Sequence, residues 1–158
     1  MGRELLVVWA GRHQRKGWDD LCGDYRRRIE RFAPLRDVAV KSREVASSPG
    51  RPEAEARALL AALPEPCWTV ALDRKGKTFT SEELADWLER RRQDWPHPIA
   101  FLIGSDLGLP PRVLAGAREQ ISLGPLTLPH ELARLVLYEQ LYRALSLSAG
   151  INYHRGEF

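Results

Sequence analysis

The chain has 158 residues, 44% of them hydrophobic, which suits one globular domain with a single sizeable core and excludes a disordered or fibrous class. No apolar stretch approaches the length of a membrane span, and the run Leu5–Trp9 is too short for the core of a secretion signal. Cys22 and Cys67 stand far apart with no metal-ligand spacing and read as reduced thiols of a cytoplasmic protein without a metal, while a net charge of +3 is only a mild bias towards a polyanionic partner.

In chain order, strands and helices alternate. Leu5–Trp9 is a continuous apolar run, as expected of a strand buried on both faces. Trp18–Phe32 is helical, with Leu21, Tyr25, Ile29 and Phe32 on one stripe. A short strand over Val38–Lys41 leads into a loop of Ser, Pro and Gly at 47–52, and a helix follows over Glu53–Leu63. Trp68–Leu72 is the third strand, and Arg74-Lys75-Gly76-Lys77 reads as a turn. Thr80-Ser81-Glu82-Glu83 matches a capping box opening a helix that runs to about Gln93, where Pro96 and Pro98 forbid more. Ile99–Ile103 is the next strand; Pro110 and Pro111 start a helix reaching about Glu119. Ile121–Leu123 is a last short strand, and the final helix covers about Pro129–Leu147. The pattern predicts an α/β domain with a parallel sheet and helices on both faces.

Four places could carry chemistry. Ligands of parallel sheets bind beyond the carboxyl ends of the strands. Gly104 and Gly108 follow such an end, where glycine serves either a nucleotide-like ligand or simply a tight turn. The segment Leu123–Pro129 is a bent loop with Leu126 and Leu128; these leucines either hold the flat face of a purine or plug the core. On the last helix Leu132, Leu135 and Val136 form an apolar stripe that Glu139 and Arg143 continue at i,i+4 spacing, where an ion pair is expected. Arg134 and Arg143 are candidates to bind an anion, and His130 to cap the helix start. The tail ends on Tyr153, His154 and Arg155, which suit stacking on a base, proton transfer and phosphate contact, or else form an inert end. Twenty of the 24 basic residues are arginines; the runs Arg26–Arg28 and Arg90–Arg92 read as solvated helix faces that could add phosphate attraction.

The residues Phe101-Leu102-Ile103-Gly104, Ile121-Ser122-Leu123, Leu126-Thr127-Leu128-Pro129-His130, Glu139-Gln140-Leu141-Tyr142-Arg143-Ala144 and Tyr153-His154-Arg155 closely resemble the RlmH family of the SPOUT superfamily. These are methyltransferases acting on pseudouridine of large-subunit ribosomal RNA. The resemblance implies a C-terminal trefoil knot and a homodimer whose site is completed across the interface. It implies S-adenosylmethionine as donor, leaving S-adenosylhomocysteine, bound at Leu72, Gly104 and Leu123, Gly124, Pro125, Leu126, Thr127 and Leu128. The expected product is N3-methylpseudouridine in 23S ribosomal RNA of the large subunit or assembled ribosome. Tyr153, His154 and Arg143 are the expected catalytic residues, with His154 the candidate base. Arg155, Arg134 and His130 are the expected RNA contacts. Two positions depart from the family pattern: Ser105 stands where a second glycine is usual, and Asn152 where proline is usual. Alternatives are a SPOUT enzyme for another RNA, such as a transfer RNA, and a ribosome-binding or assembly factor without catalysis.

Overall fold

A computed structural model describes residues 3–11, 16–41 and 49–153. Ten elements follow one another: β1 (Leu5–Ala10), α1 (Lys16–Ile29), β2 (Leu35–Val40), α2 (Arg51–Ala61), β3 (Trp68–Thr78), α3 (Ser81–Asp94), β4 (Ile99–Ile103), α4 (Pro111–Gly116), β5 (Glu119–Ser122) and α5 (His130–Ser148). The five strands form one sheet in the order β2-β1-β4-β3-β5, and every neighbouring pair is parallel. Parallel neighbours need long crossovers, and the helices supply them.

The layers follow from β1, whose six residues are all buried. Successive side chains of a strand point to opposite faces. Leu5, Val7 and Trp9 therefore enter one core, and Leu6, Val8 and Ala10 the other. The first core is closed by α1, α3 and α5 through residues such as Ile29, Leu88 and Leu141. The second is closed by α2 and α4 through Ala56, Leu59 and Val113. Thr80 caps α3 as expected: its side chain accepts the Glu83 N–H at 3.1 Å, and Glu83 accepts the Thr80 N–H at 2.8 Å.

Several boundaries differ from the sequence reading. Residues 74–77 do not end the third strand: β3 continues to Thr78, and its register with β5 jumps between Leu72 and Lys77, both opposite Ile121. Gly76 lies so close to β5 that a Cβ there would stand 2.7 Å from the carbonyl carbon of Gln120. Helix α4 stops at Gly116 because Ala117 is extended, and the Arg118 N–H then bonds the Thr69 carbonyl at 3.1 Å. β2 starts at Leu35, three residues before Val38, because Leu35 already pairs with Leu5. On α1 the buried position is Cys22, while Leu21 is 51% exposed. On α5 the buried stripe runs through Leu137, Tyr138, Leu141, Ala144 and Leu145, leaving Leu132, Leu135 and Val136 half-buried.

Candidate functional site

One cavity stands where parallel sheets place ligands. It lies beyond the carboxyl ends of β4 and β5, and beside the middle of β3, with a volume of about 410 Å³. Leu72, Asp73 and Arg74 of β3 form one wall and Gly104–Leu109 a second. Leu123, Gly124, Leu126, Thr127 and Leu128 form a third, with His130 and Ala133 of α5 closing the end.

Local chemistry shapes each wall. A Cβ on Gly104 would come 2.3 Å from the carbonyl carbon of Gly108, so only glycine allows the 104–108 turn to fold back on itself. Gly108 adopts φ 76°, in the left-handed region. The Ser105 carbonyl accepts the Gly108 N–H at 2.9 Å. Ser122 fixes the third wall: its Oγ accepts the Gly124 N–H at 3.0 Å and donates to the Arg74 carbonyl at 3.0 Å, and Gly124 takes φ 128°. Leu126 is 76% exposed at the rim, so it does not plug the core. The cavity thus offers flexible apolar side chains and turn backbone to a flat ring.

Of the eight residues expected at the donor, seven line this one cavity; Pro125 sits in the same loop but outside the lining. Residues the sequence reading did not place there include Asp73, Arg74, Ser105, Asp106 and Ala133. Gly108 was the available signal for the second wall, since a left-handed glycine implies that the chain turns back beside Gly104.

His130 lines the cavity and does not cap α5, whose N-cap is Pro129 with no side-chain hydrogen bond. Its ring stacks on Trp9, with centroids 6.2 Å apart, and its Nε2 lies 3.1 Å from Glu131 Oε1. Arg134, an expected RNA contact, is engaged by carboxylates of its own chain. It is 4% exposed, with Nε 2.9 Å from Asp37 Oδ2 and Nη1 2.9 Å from Asp19 Oδ1. Burial alone would weaken its hold on the proton, but Asp37 and Asp19 outweigh that and raise its pKa. Asp37 also accepts from Trp9 Nε1 at 2.8 Å and from the Tyr138 hydroxyl. Burial, then the charge of Asp37, pushes the Tyr138 phenol well above its ordinary value, so it remains a donor. This is a buried ion-pair network that holds the Arg134 guanidinium on two carboxylates. Beside it, burial pushes the Cys22 thiol up to about 11, which keeps it protonated and unreactive.

Arg143 makes the i,i+4 pair expected with Glu139, Nε to Oε1 at 3.0 Å. Tyr153 joins them: its hydroxyl donates to Glu139 Oε1 at 3.3 Å, and the Arg143 guanidinium lies 4.9 Å from its ring centre. Burial, ahead of a hydrogen bond to Tyr25, pushes the Tyr153 phenol above its ordinary value. Tyr153 is therefore held neutral, with its O–H donating to Glu139. Gln140 accepts from Ser81 Oγ at 2.7 Å and ties this corner to α3. None of Glu139, Arg143 and Tyr153 lines the 410 Å³ cavity. His154 and Arg155 lie outside the described residues. Among the described residues no group of three His, Cys, Asp or Glu is placed to hold a metal, and no helix is long and apolar enough to cross a membrane.

A family model described as "Predicted SPOUT methyltransferase" matches residues 4–154. A protein of Rubrobacter xylanophilus named Ribosomal RNA large subunit methyltransferase H is 44% identical over 160 residues, covering 98% of this chain and 99% of the relative. The protein of the same name from Gloeobacter violaceus is 41% identical over 152 residues, covering 96% and 99%. Among solved structures, a probable methyltransferase from Bordetella pertussis Tohama I gives a TM-score of 0.56 at 17% identity, over 91% of this chain and 96% of that one, a likeness of fold. With a family match across nearly the whole length and relatives this similar over the same span, the chain belongs to the SPOUT methyltransferase family.

Proposed function

We propose that this protein transfers a methyl group from S-adenosylmethionine to N3 of a pseudouridine in 23S ribosomal RNA, in the cytoplasm and as a homodimer. The observation that carries the donor assignment is the convergence of Leu72, Gly104, Leu123, Gly124, Leu126, Thr127 and Leu128 on one cavity beyond the strand ends. The acceptor assignment is supported by the relatives named for large-subunit ribosomal RNA methylation.

The donor is a sulfonium and already activated, so most of the acceleration comes from aligning N3 with the methyl carbon. N3 carries a proton that must leave before or during attack. Tyr153, held neutral, contacts the target base, and Arg143 beside it places positive charge to polarise a base carbonyl. His154 is the group suited to take the proton.

A second copy would bring its own Tyr153 corner to the cavity, since Glu139, Arg143 and Tyr153 do not line the cavity of their own chain. Leu132, Leu135 and Val136 remain half-buried on α5, and Leu21 on α1 is 51% exposed. These apolar side chains suit a face covered by a second copy. Sedimentation as an 18.0 kDa monomer at assay concentration would rule this arrangement out.

The deciding experiment offers labelled S-adenosylmethionine with unmodified ribosomes, isolated large subunits and naked ribosomal RNA in parallel. Label mapped to one pseudouridine is the expected result. Label in transfer RNA alone would replace the acceptor, and donor binding without transfer to any RNA would leave a non-catalytic ribosome-binding protein.

A further inference from the structure

One buried charge has no part in the methyl-transfer chemistry. Glu55 of α2 is 4% exposed and lies outside the cavity lining. Both its oxygens are engaged: Oε2 accepts from Ser105 Oγ at 2.9 Å and Oε1 from Arg51 Nε at 2.9 Å. Arg51 Nη2 continues to Asp106 Oδ1 at 2.5 Å. Ser105 Oγ, having given its proton to Glu55, accepts the Leu107 N–H at 3.3 Å. Helix α2 thereby reaches Ser105 directly, Asp106 through Arg51 and Leu107 through the serine hydroxyl. All three residues line the cavity.

A carboxylate taken out of water is costly unless paired and hydrogen-bonded, so one retained here needs a reason beyond packing. Packing α2 on the sheet is already achieved by Ala56 and Leu59. The carboxylate adds a directional hold on a turn that would otherwise rest on its own backbone bonds. Ser105 also takes on meaning: its hydroxyl points to Glu55, and a glycine at 105 would have no atom to offer.

We propose that Glu55 is a positioning residue for donor binding: through Ser105 it holds the 105–108 turn in its ligand-ready shape before the donor arrives. Ordering a loop in advance removes that cost from binding. The proposal rests on the cavity being the donor site.

The test uses the full chain with S-adenosylhomocysteine as the probe. Calorimetry gives its Kd, transfer kinetics give KM and kcat, and amide hydrogen exchange reads the turn. In the Glu55→Gln protein, Kd and donor KM rise by about tenfold, the scale of one charge-assisted hydrogen bond. Its kcat at saturating donor changes by less than about twofold, and amides 105–108 exchange faster in the unliganded protein. Ser105→Ala behaves alike, and the double variant is no worse than either single one, as one shared contact requires. Unchanged Kd and unchanged exchange at 105–108, whatever happens to the melting temperature, would show Glu55 to be only a staple for α2 and overturn the proposal. Effects of the two substitutions that add would also overturn it. If Glu55→Gln does not fold, Ser105→Ala alone decides by the same readouts. Failure of the underlying site assignment is distinguishable: S-adenosylhomocysteine would then give the unaltered protein no exchange protection at 123–128.

Discussion

At the residue scale, Asp37 is the group on which most depends. It holds the Trp9 indole, the Arg134 guanidinium and the Tyr138 hydroxyl, and Asp37 and Arg134 side chains are each 5% exposed. Removing Asp37 takes one of two carboxylates from buried Arg134 and the shared acceptor from the Trp9 indole and the Tyr138 hydroxyl, at a cost of about 3–5 kcal/mol. Asp37→Ala should lose stability on this scale in urea unfolding, with an unchanged m-value if the unfolded state is unaffected. A loss under about 1 kcal/mol would mean that solvent reaches Arg134 and screens it. None of this network was legible in the sequence. Arg134 read as an anion-binding residue because a helical arginine shows its charge but not its partner, and Asp37 lies 97 residues earlier. The Glu139–Arg143 pair was legible because both members sit on one helix, four residues apart. The grouping of Leu72, Gly104 and the 123–128 loop around one cavity was legible only through the resemblance. Their own chemistry left glycine turns and apolar loops open to a structural reading.

At the element scale, legibility followed how local the cause is. The α3 start could be read because a capping box lies within four residues, and both of its hydrogen bonds form. Thr80→Ala removes the acceptor for the Glu83 N–H and should cost about 1 kcal/mol. It should leave S-adenosylhomocysteine affinity unchanged, because Thr80 lies outside the cavity lining. Urea unfolding and calorimetry check the two halves, and a lost affinity would mean that α3 supports the site. By contrast, β3 was read short because Arg74–Lys77 has turn composition. What carries the strand on is a close neighbour: Gly76 admits the backbone of Gln120 and Ile121. A sequence shows that a glycine is present, but not the strand that needs it. The early end of α4 has the same kind of cause, since the Arg118 N–H is claimed by Thr69, 49 residues earlier.

At the scale of the whole molecule, alternating elements made the layered α/β class legible, while the strand order was not, because periodicity does not say which strand lies beside which. Charge is the other property that only the whole chain shows. The net value is +3 despite 24 basic residues, and the described arginines are largely spoken for. Arg26 pairs with Glu30 at 2.9 Å, Arg28 with Asp24 at 3.0 Å and Arg112 with Glu53 at 2.8 Å. Arg51, Arg134 and Arg143 are held by Glu55, Asp37 and Glu139. Each exposed pair is energetically weak, but together they cancel the field beyond a Debye length. RNA affinity should then rest on a few phosphate contacts and on shape. Each phosphate neutralised adds about 0.7–0.9 to the slope of log affinity against log salt, so about three contacts give a slope near −2 to −3. The KM for ribosomes, measured between about 50 and 200 mM salt, should rise by roughly 15- to 60-fold, while kcat at saturation holds steady. A slope near −6 would mean a broad basic surface assembled in the working complex. The field of one chain, with its internal pairs, would not produce it.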